Sequence, residues 1–283
     1  MSGLARRVLT AAVLIPLVSA AVLLLPTFLF AVAIGFMVLL GAWEWAALSA
    51  LHSSMKRVAY VGFIGVLLGV CGYLVSNAGG VGDRTWVWVV GAGLGWWVVA
   101  LASVFAYERE SSLAWLVPTG TRAAAGVLTL VPAWTGLVWL HGTDEVGPQG
   151  VLYLLVLIWV ADSAAYFAGR RWGRHRLAPR VSPGKTWEGV AGAVVAAGIM
   201  AGISAALVGV SPALVLAFLG LCLMTVCISI LGDLAESLFK RVAGTKDSGT
   251  IFPGHGGVMD RIDSLTAAAP LFALGMFWIQ SGQ

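Results

Sequence analysis

Five of the thirteen carboxylates crowd between residues 233 and 263: Asp233, Glu236, Asp247, Asp260 and Asp263. Asp260 and Asp263 are three apart, as are Asp233 and Glu236, so on helices each pair shares a face. Like charges brought together repel unless a cation sits among them. Hard oxygen ligands of this kind suit Mg²⁺, which binds through a few carboxylates plus phosphate oxygens. The competing account is a set of ordinary ion pairs, Asp260 with Arg261 and the acids with Lys240 and Arg241. Acids abutting an apolar segment are costly to keep, which favours the metal site.

Cations share the same stretches. Lys240, Arg241, Lys246 and Lys185 lie beside the acids, as a polyphosphate requires, because Lys and Arg neutralise oxygens that a metal does not reach. Gly244, Gly249, Gly254, Gly256 and Gly257, with Pro253, crowd one loop and let backbone approach phosphate closely. His255, between glycines, is either a phosphate contact or a loop hydrogen-bonder. Ser182-Pro183-Gly184-Lys185-Thr186 resembles half of a P-loop. That motif needs glycine at 179, where Pro179 stands.

The elements that must position these residues are membrane spans. Hydrophobic residues are 59% and charged residues 11% of the chain, with a mean hydropathy of +0.92, whereas a soluble domain carries about 25% charged residues. This composition excludes a soluble globular domain, a disordered chain and a fibrous repeat. A helix crossing the hydrocarbon core needs about 20 apolar residues. That ruler predicts an all-α polytopic integral membrane protein with about nine transmembrane helices. They fall near 8–25, 27–50, 58–75, 86–106, 123–140, 151–169, 190–208, 213–232 and 264–281. Turns are expected at Pro26 and at Ser211-Pro212. Cys71, Cys222 and Cys227 lie inside apolar runs as small packing residues.

This alternation puts 16 of the 17 basic residues on one side, with Arg84 opposite. The positive-inside rule makes that side cytoplasmic, the N-terminus inside and the C-terminus outside. Two polar stretches on it, 170–189 and 233–263, hold ten of the basic residues. The chain divides into residues 1–150, the first five helices, and 151–283, a catalytic membrane region with helices six to nine. Chemistry is expected at the cytoplasmic face of the second part.

The run Ser237-Leu238-Phe239-Lys240-Arg241, then Lys246-Asp247-Ser248-Gly249, then Phe252-Pro253-Gly254-His255-Gly256-Gly257-Val258-Met259-Asp260-Arg261-Ile262-Asp263 resembles the signature of the phosphatidate cytidylyltransferases. A second block, Asp162 to Arg170 and Ser182 to Gly189, is similar to the family too. Gly184 stands there where the family has Lys, leaving Lys185 as the cation. The resemblance implies transfer of CMP from CTP to phosphatidate at the cytoplasmic surface of the cell membrane, giving CDP-diacylglycerol and pyrophosphate. It implies Mg²⁺ on Asp233, Asp260 and Asp263, with a second cation left open. Lys240, Arg241, Lys246 and Asp247 become catalytic residues, and Ser182, Lys185, Thr186, Ser237, His255 and Arg261 substrate contacts. A homodimer among membrane lipids is expected, and no nucleic acid partner.

Asp162 is a further site acid or a partner of Arg170 and Arg171, the former preferred. Glu44, between Trp43 and Trp45, reads as an interfacial or helix-packing residue. A transporter would show inverted repeats and charge near the midplane; the sequence has neither. The Asp-Gly-x-x-Ala-Arg element of CDP-alcohol phosphotransferases is absent. A CTP-dependent transferase acting on another membrane lipid phosphate or alcohol is the alternative.

Overall fold

The structure, a computed structural model, describes residues 3–76, 84–246, 248–249 and 256–281, and side chains from residue 14 onward. Among these residues the chain forms nine α-helices. They are α1 (Gly3–Leu24), α2 (Thr27–Leu48), α3 (Ser54–Ser76), α4 (Thr85–Glu108), α5 (Thr119–Gly142), α6 (Gly147–Trp172), α7 (Trp187–Val208), α8 (Pro212–Val242) and α9 (Met259–Ser281). Eight of them, α2 to α9, are long and apolar enough to cross a membrane; α1 contributes the shorter apolar stretch Leu14–Leu24. The architecture is that of an all-α polytopic membrane protein, with each helix on a predicted span. The punctuation also holds. Pro26 is the extended residue before α2, Gly209 ends α7 with φ +71°, and Pro212 opens α8.

Large apolar side chains point outward, among them Leu24, Trp88, Leu207 and Leu216, each about four-fifths exposed, as a lipid-facing surface requires. The hub is α5, whose apolar window is 78% buried against 22–39% for the other spans. It packs on α2, α3, α4, α6 and α9. Without a hydrophobic drive inside lipid, helices associate through small residues that admit close backbone approach. Ala193, Ala197, Ala201 and Ala205 form such a buried stripe on α7. Between α8 and α9 the decisive position is Gly232, where a Cβ would run into the Asp263 carbonyl and Ala267.

Two features depart from the expected outline. The stretch expected as an open loop after residue 169 is mostly ordered. Helix α6 runs on to Trp172, and Arg176–Ala178 (β1) pairs antiparallel with Ser182–Thr186 (β2). And α8 continues ten residues beyond its expected end at 232, so Asp233, Glu236, Ser237, Lys240 and Arg241 stand on a rigid helix. An apolar cleft of about 1290 Å³ opens between α2, α3, α5 and α9. It lies at the far end of the bundle from these charged residues.

Candidate active site

The C-terminal end of α8, the N-terminal end of α9 and the β-ribbon meet at one end of the bundle. Lys240, in the last turn of α8, lies between two carboxylates. Its Nζ is 3.0 Å from Glu236 Oε2 on its own helix and 2.7 Å from Asp260 Oδ1 on α9. Glu236 is buried, and Lys240 and Asp260 nearly so. Asp260 Oδ2 accepts from Gly257 N–H at 2.7 Å and from Ser248 N–H at 3.4 Å. Gly256, with φ +79°, occupies a left-handed turn where any Cβ would meet the Asp260 carboxylate.

A second pair is built across the ribbon. Lys185 on β2 reaches Asp233 Oδ2 at 2.8 Å and also donates to the Ile230 carbonyl at 3.4 Å. Ser237 Oγ donates to Asp233 Oδ1 at 3.4 Å. Asp162 on α6 lies near enough to Lys185 and Asp233 for their charges to interact. The Asp263 carboxyl faces both Asp233 and Glu236, and its Oδ1 accepts from Ser264 N–H at 2.7 Å. Arg241 Nε donates to the Val181 carbonyl at 3.2 Å, joining α8 to the ribbon turn.

The residues singled out from sequence are therefore unevenly placed. Asp233, Lys185, Ser237, Lys240, Asp260 and Asp263 come together, with Arg241 at the edge. Asp162 joins them within charge-interaction range of Lys185; Arg170 instead donates to Tyr166 Oη on its own helix. Ser182 opens β2, paired with Ala178. Thr186 is buried and caps α7, its hydroxyl accepting from Gly189 N–H at 3.2 Å. Lys246 and Arg261 are exposed. Asp247 and His255 lie outside the described residues.

Among the described residues, no three acidic, histidine or cysteine side chains are grouped to hold an ion. Asp260 is turned toward Lys240 and the loop amides, while Asp263 turns toward α8. The donor set nevertheless fits a hard cation. Buried Glu236 Oε1 has no N–H or O–H donor of its own and the Glu236 carboxyl lies against that of Asp263, whereas most buried polar atoms are paired with a donor. Two lysines, Lys185 and Lys240, also stand among five carboxylates: Asp162, Asp233, Glu236, Asp260 and Asp263.

Two residues that hold this end of the bundle were missed in the sequence. Glu44, on α2, is 3% exposed. Its Oε1 accepts from Val258 N–H at 3.0 Å, and its Oε2 from Met259 N–H at 2.9 Å and Ser248 Oγ at 3.2 Å. It thus satisfies N–H groups that open α9 and that the helix itself leaves unpaired. The one signal available was an acid inside an apolar span, which the packing reading set aside. Glu108, ending α4, does the same for the ribbon turn, accepting from Arg180 N–H at 2.9 Å and Val181 N–H at 2.8 Å. No sequence signal marked it.

The sequence model of the Cytidylyltransferase family matches residues 5–279. A Haemophilus influenzae protein named phosphatidate cytidylyltransferase is 40% identical over 98% of this chain and 99% of its own length. A Pseudomonas aeruginosa protein of the same name is 42% identical over 97% of both chains. A third, from Brucella suis, is 34% identical over 74% of this chain and 89% of its own. A match along nearly the whole chain means that the protein belongs to the cytidylyltransferase family.

Proposed function

We propose that this protein transfers CMP from CTP to phosphatidate, yielding CDP-diacylglycerol and pyrophosphate. The observation that carries this is the near end-to-end similarity to proteins named for that reaction. The interleaved Lys–carboxylate cluster at the ends of α8 and α9 and on the ribbon supports it. One substrate is a lipid and the other water-borne, so the site must lie at the membrane surface. The basic end of the bundle is the cytoplasmic one under the positive-inside rule, so in this reading the reaction runs at the cytoplasmic face of the cell membrane.

In this reading a phosphatidate oxygen attacks the α-phosphorus of CTP in line, the α–β bridging bond breaks, and pyrophosphate leaves with the electron pair. A phosphate monoester is largely ionised at neutral pH, its second pKa lying near about 6, so no strong general base is needed. The protein supplies charge neutralisation and alignment. Lys185, Lys240 and Arg241 take the phosphate oxygens, with Lys246 reaching in from the loop. Asp233 and Glu236 hold the two lysines between turnovers, so their long side chains are already ordered when substrate arrives. Ser182, Ser237, Arg261 and His255 complete the substrate contacts, and Asp247, next to Lys246 in sequence, stays with the catalytic group. Asp233, Asp260 and Asp263 would hold Mg²⁺. When bound, it would supply electrostatic stabilisation of the developing charge on the transferred phosphoryl group.

The test is turnover of the full chain in detergent micelles with CTP, phosphatidate and Mg²⁺, following lipid-linked CMP and pyrophosphate. Stoichiometric formation of both is expected. Turnover only when phosphatidate is replaced by another lipid phosphate or alcohol would move the assignment to that acceptor.

A further inference from the structure

Glu44 is a buried carboxylate near the C-terminal end of the apolar helix α2, more than 200 residues from its partners. Burying a charge costs several kcal/mol unless hydrogen bonds offset it, and a residue that only packs is better apolar. Among the described residues, Glu44 accepts from neutral donors alone: the Ser248 hydroxyl and the amides of Val258 and Met259. These donors lie on both sides of the glycine-rich stretch, so one carboxylate joins its two ends. The local sequence is fitted to that clamp. A Cβ at Gly249 would strike the Glu44 carboxylate, and one at Gly257 would strike both Glu44 and Ser248 Oγ. Val258, the residue immediately before the helix, has no side-chain oxygen to serve as the usual local cap. The space is filled by an acid from another helix.

The clamped backbone is also the backbone that holds the chemistry. Gly257 N–H and Ser248 N–H donate to Asp260 Oδ2, and Asp260 Oδ1 fixes Lys240. We infer that Glu44 is a positioning residue of the active site. From α2 it sets the loop ends on which Asp260, and through it Lys240, are aligned. This rests on the reaction proposed above. Glu44 touches no reacting atom, so its loss acts by misplacing groups that do. A misplacement of about 1 Å can cost on the order of 10²-fold in rate.

The experiment compares wild type with Glu44→Gln, Glu44→Asp and Ser248→Ala, each as the full chain in micelles. Turnover is normalised to folded protein, and amide hydrogen exchange is read at residues 257–259. An amide at position 44 turns an N–H₂ toward one of its present donors, so Glu44→Gln should lower kcat by on the order of 10²-fold. KM for CTP and for phosphatidate should hold within about threefold, because binding groups remain. Exchange at 257–259 should quicken. Glu44→Asp keeps the charge and should recover an intermediate kcat and intermediate exchange. A kcat per folded molecule equal to wild type in Glu44→Gln would overturn the inference. So would a loss that merely tracks the folded fraction. Should Glu44→Gln not fold, Ser248→Ala decides, since it keeps both amide bonds. About tenfold lower kcat supports the clamp, given a charged hydrogen bond's typical worth, and an unchanged kcat refutes it. If wild type makes no product, the reaction assignment fails. Exchange at 257–259 then still decides the clamp: faster in Glu44→Gln supports it, unchanged rejects it.

Discussion

Lys240→Met removes the one cation between Glu236 and Asp260. At contacts of 3.0 and 2.7 Å, each attraction is worth about 6 kcal/mol gross at an effective dielectric of about 20, before desolvation is subtracted. The lysine is 14% exposed and its partners 2% and 15%, so screening by water is slight. Deleting one member of a buried pair typically costs about 3–5 kcal/mol, because the remaining charge is left uncompensated. Lys240→Met should therefore destabilise the folded protein by roughly that amount. Adding Glu236→Gln removes the carboxylate left worst off. Asp260 still accepts from Gly257 and Ser248 N–H. The double variant should regain about 1–3 kcal/mol, the range seen for coupled neighbours. Turnover should behave differently. If Lys240 neutralises a phosphate oxygen, its loss costs about 10²–10³-fold in kcat, and Glu236→Gln cannot restore it. The measurements are a denaturant titration in mixed micelles for all four members of the cycle, and CMP transfer per folded molecule. A coupling energy below about 0.5 kcal/mol would refute the buried pair. A double variant with wild-type turnover would refute the role of its cation.

Other perturbations address separate links. Gly232→Val places a side chain against the Asp263 carbonyl. Forcing α8 from α9 should cost about 1–3 kcal/mol, read as a lowered thermal midpoint. Thr186→Val removes the cap of α7 and should cost about 1 kcal/mol, while Thr186→Ser keeps it; the same unfolding assay compares them. Chelation by EDTA should abolish turnover and added Mg²⁺ restore it. In Asp233→Asn, half-maximal turnover should need on the order of tenfold more Mg²⁺ or beyond, and an unshifted Mg²⁺ dependence would remove Asp233 from the ligand set.

Helix positions were legible because the hydropathy ruler measures what the bilayer demands, and every span it predicts coincides with a helix. The ruler is blind past the membrane surface. It ended the eighth span at 232, yet Asp233-Leu234-Ala235-Glu236-Ser237-Leu238-Phe239-Lys240-Arg241 continues the helix. Those residues are mostly good helix formers, with Glu236 and Lys240 paired four apart. The ribbon escaped for the opposite reason. Its strands have three and five residues, too short for any periodicity, and Pro183-Gly184 reads as loop. Of the site, the acids and cations of the signature were legible from their density. Their pairing was not: spacing puts Asp260 and Asp263 on one face, but the neighbours of each decide where its carboxylate turns.

The residues missed share a physical character that explains the misses. Glu44 and Glu108 belong to the first half of the chain, and the backbone they hold belongs to the second. Each serves loop or helix-start amides that have no regular partner in their own element. Such amides must be satisfied when removed from water. In a glycine-rich loop the local side chains that might do so are absent, so the acceptor comes from whichever helix end lies alongside. Here α2 and α4 supply it. Glycines that let backbone approach a phosphate therefore also create the demand for a distant carboxylate. A density of glycines near a helix start thus gives reason to search the neighbouring spans for an acid. The isolated Glu44 would have been found by that rule, and Glu108, beside the ribbon turn, would not.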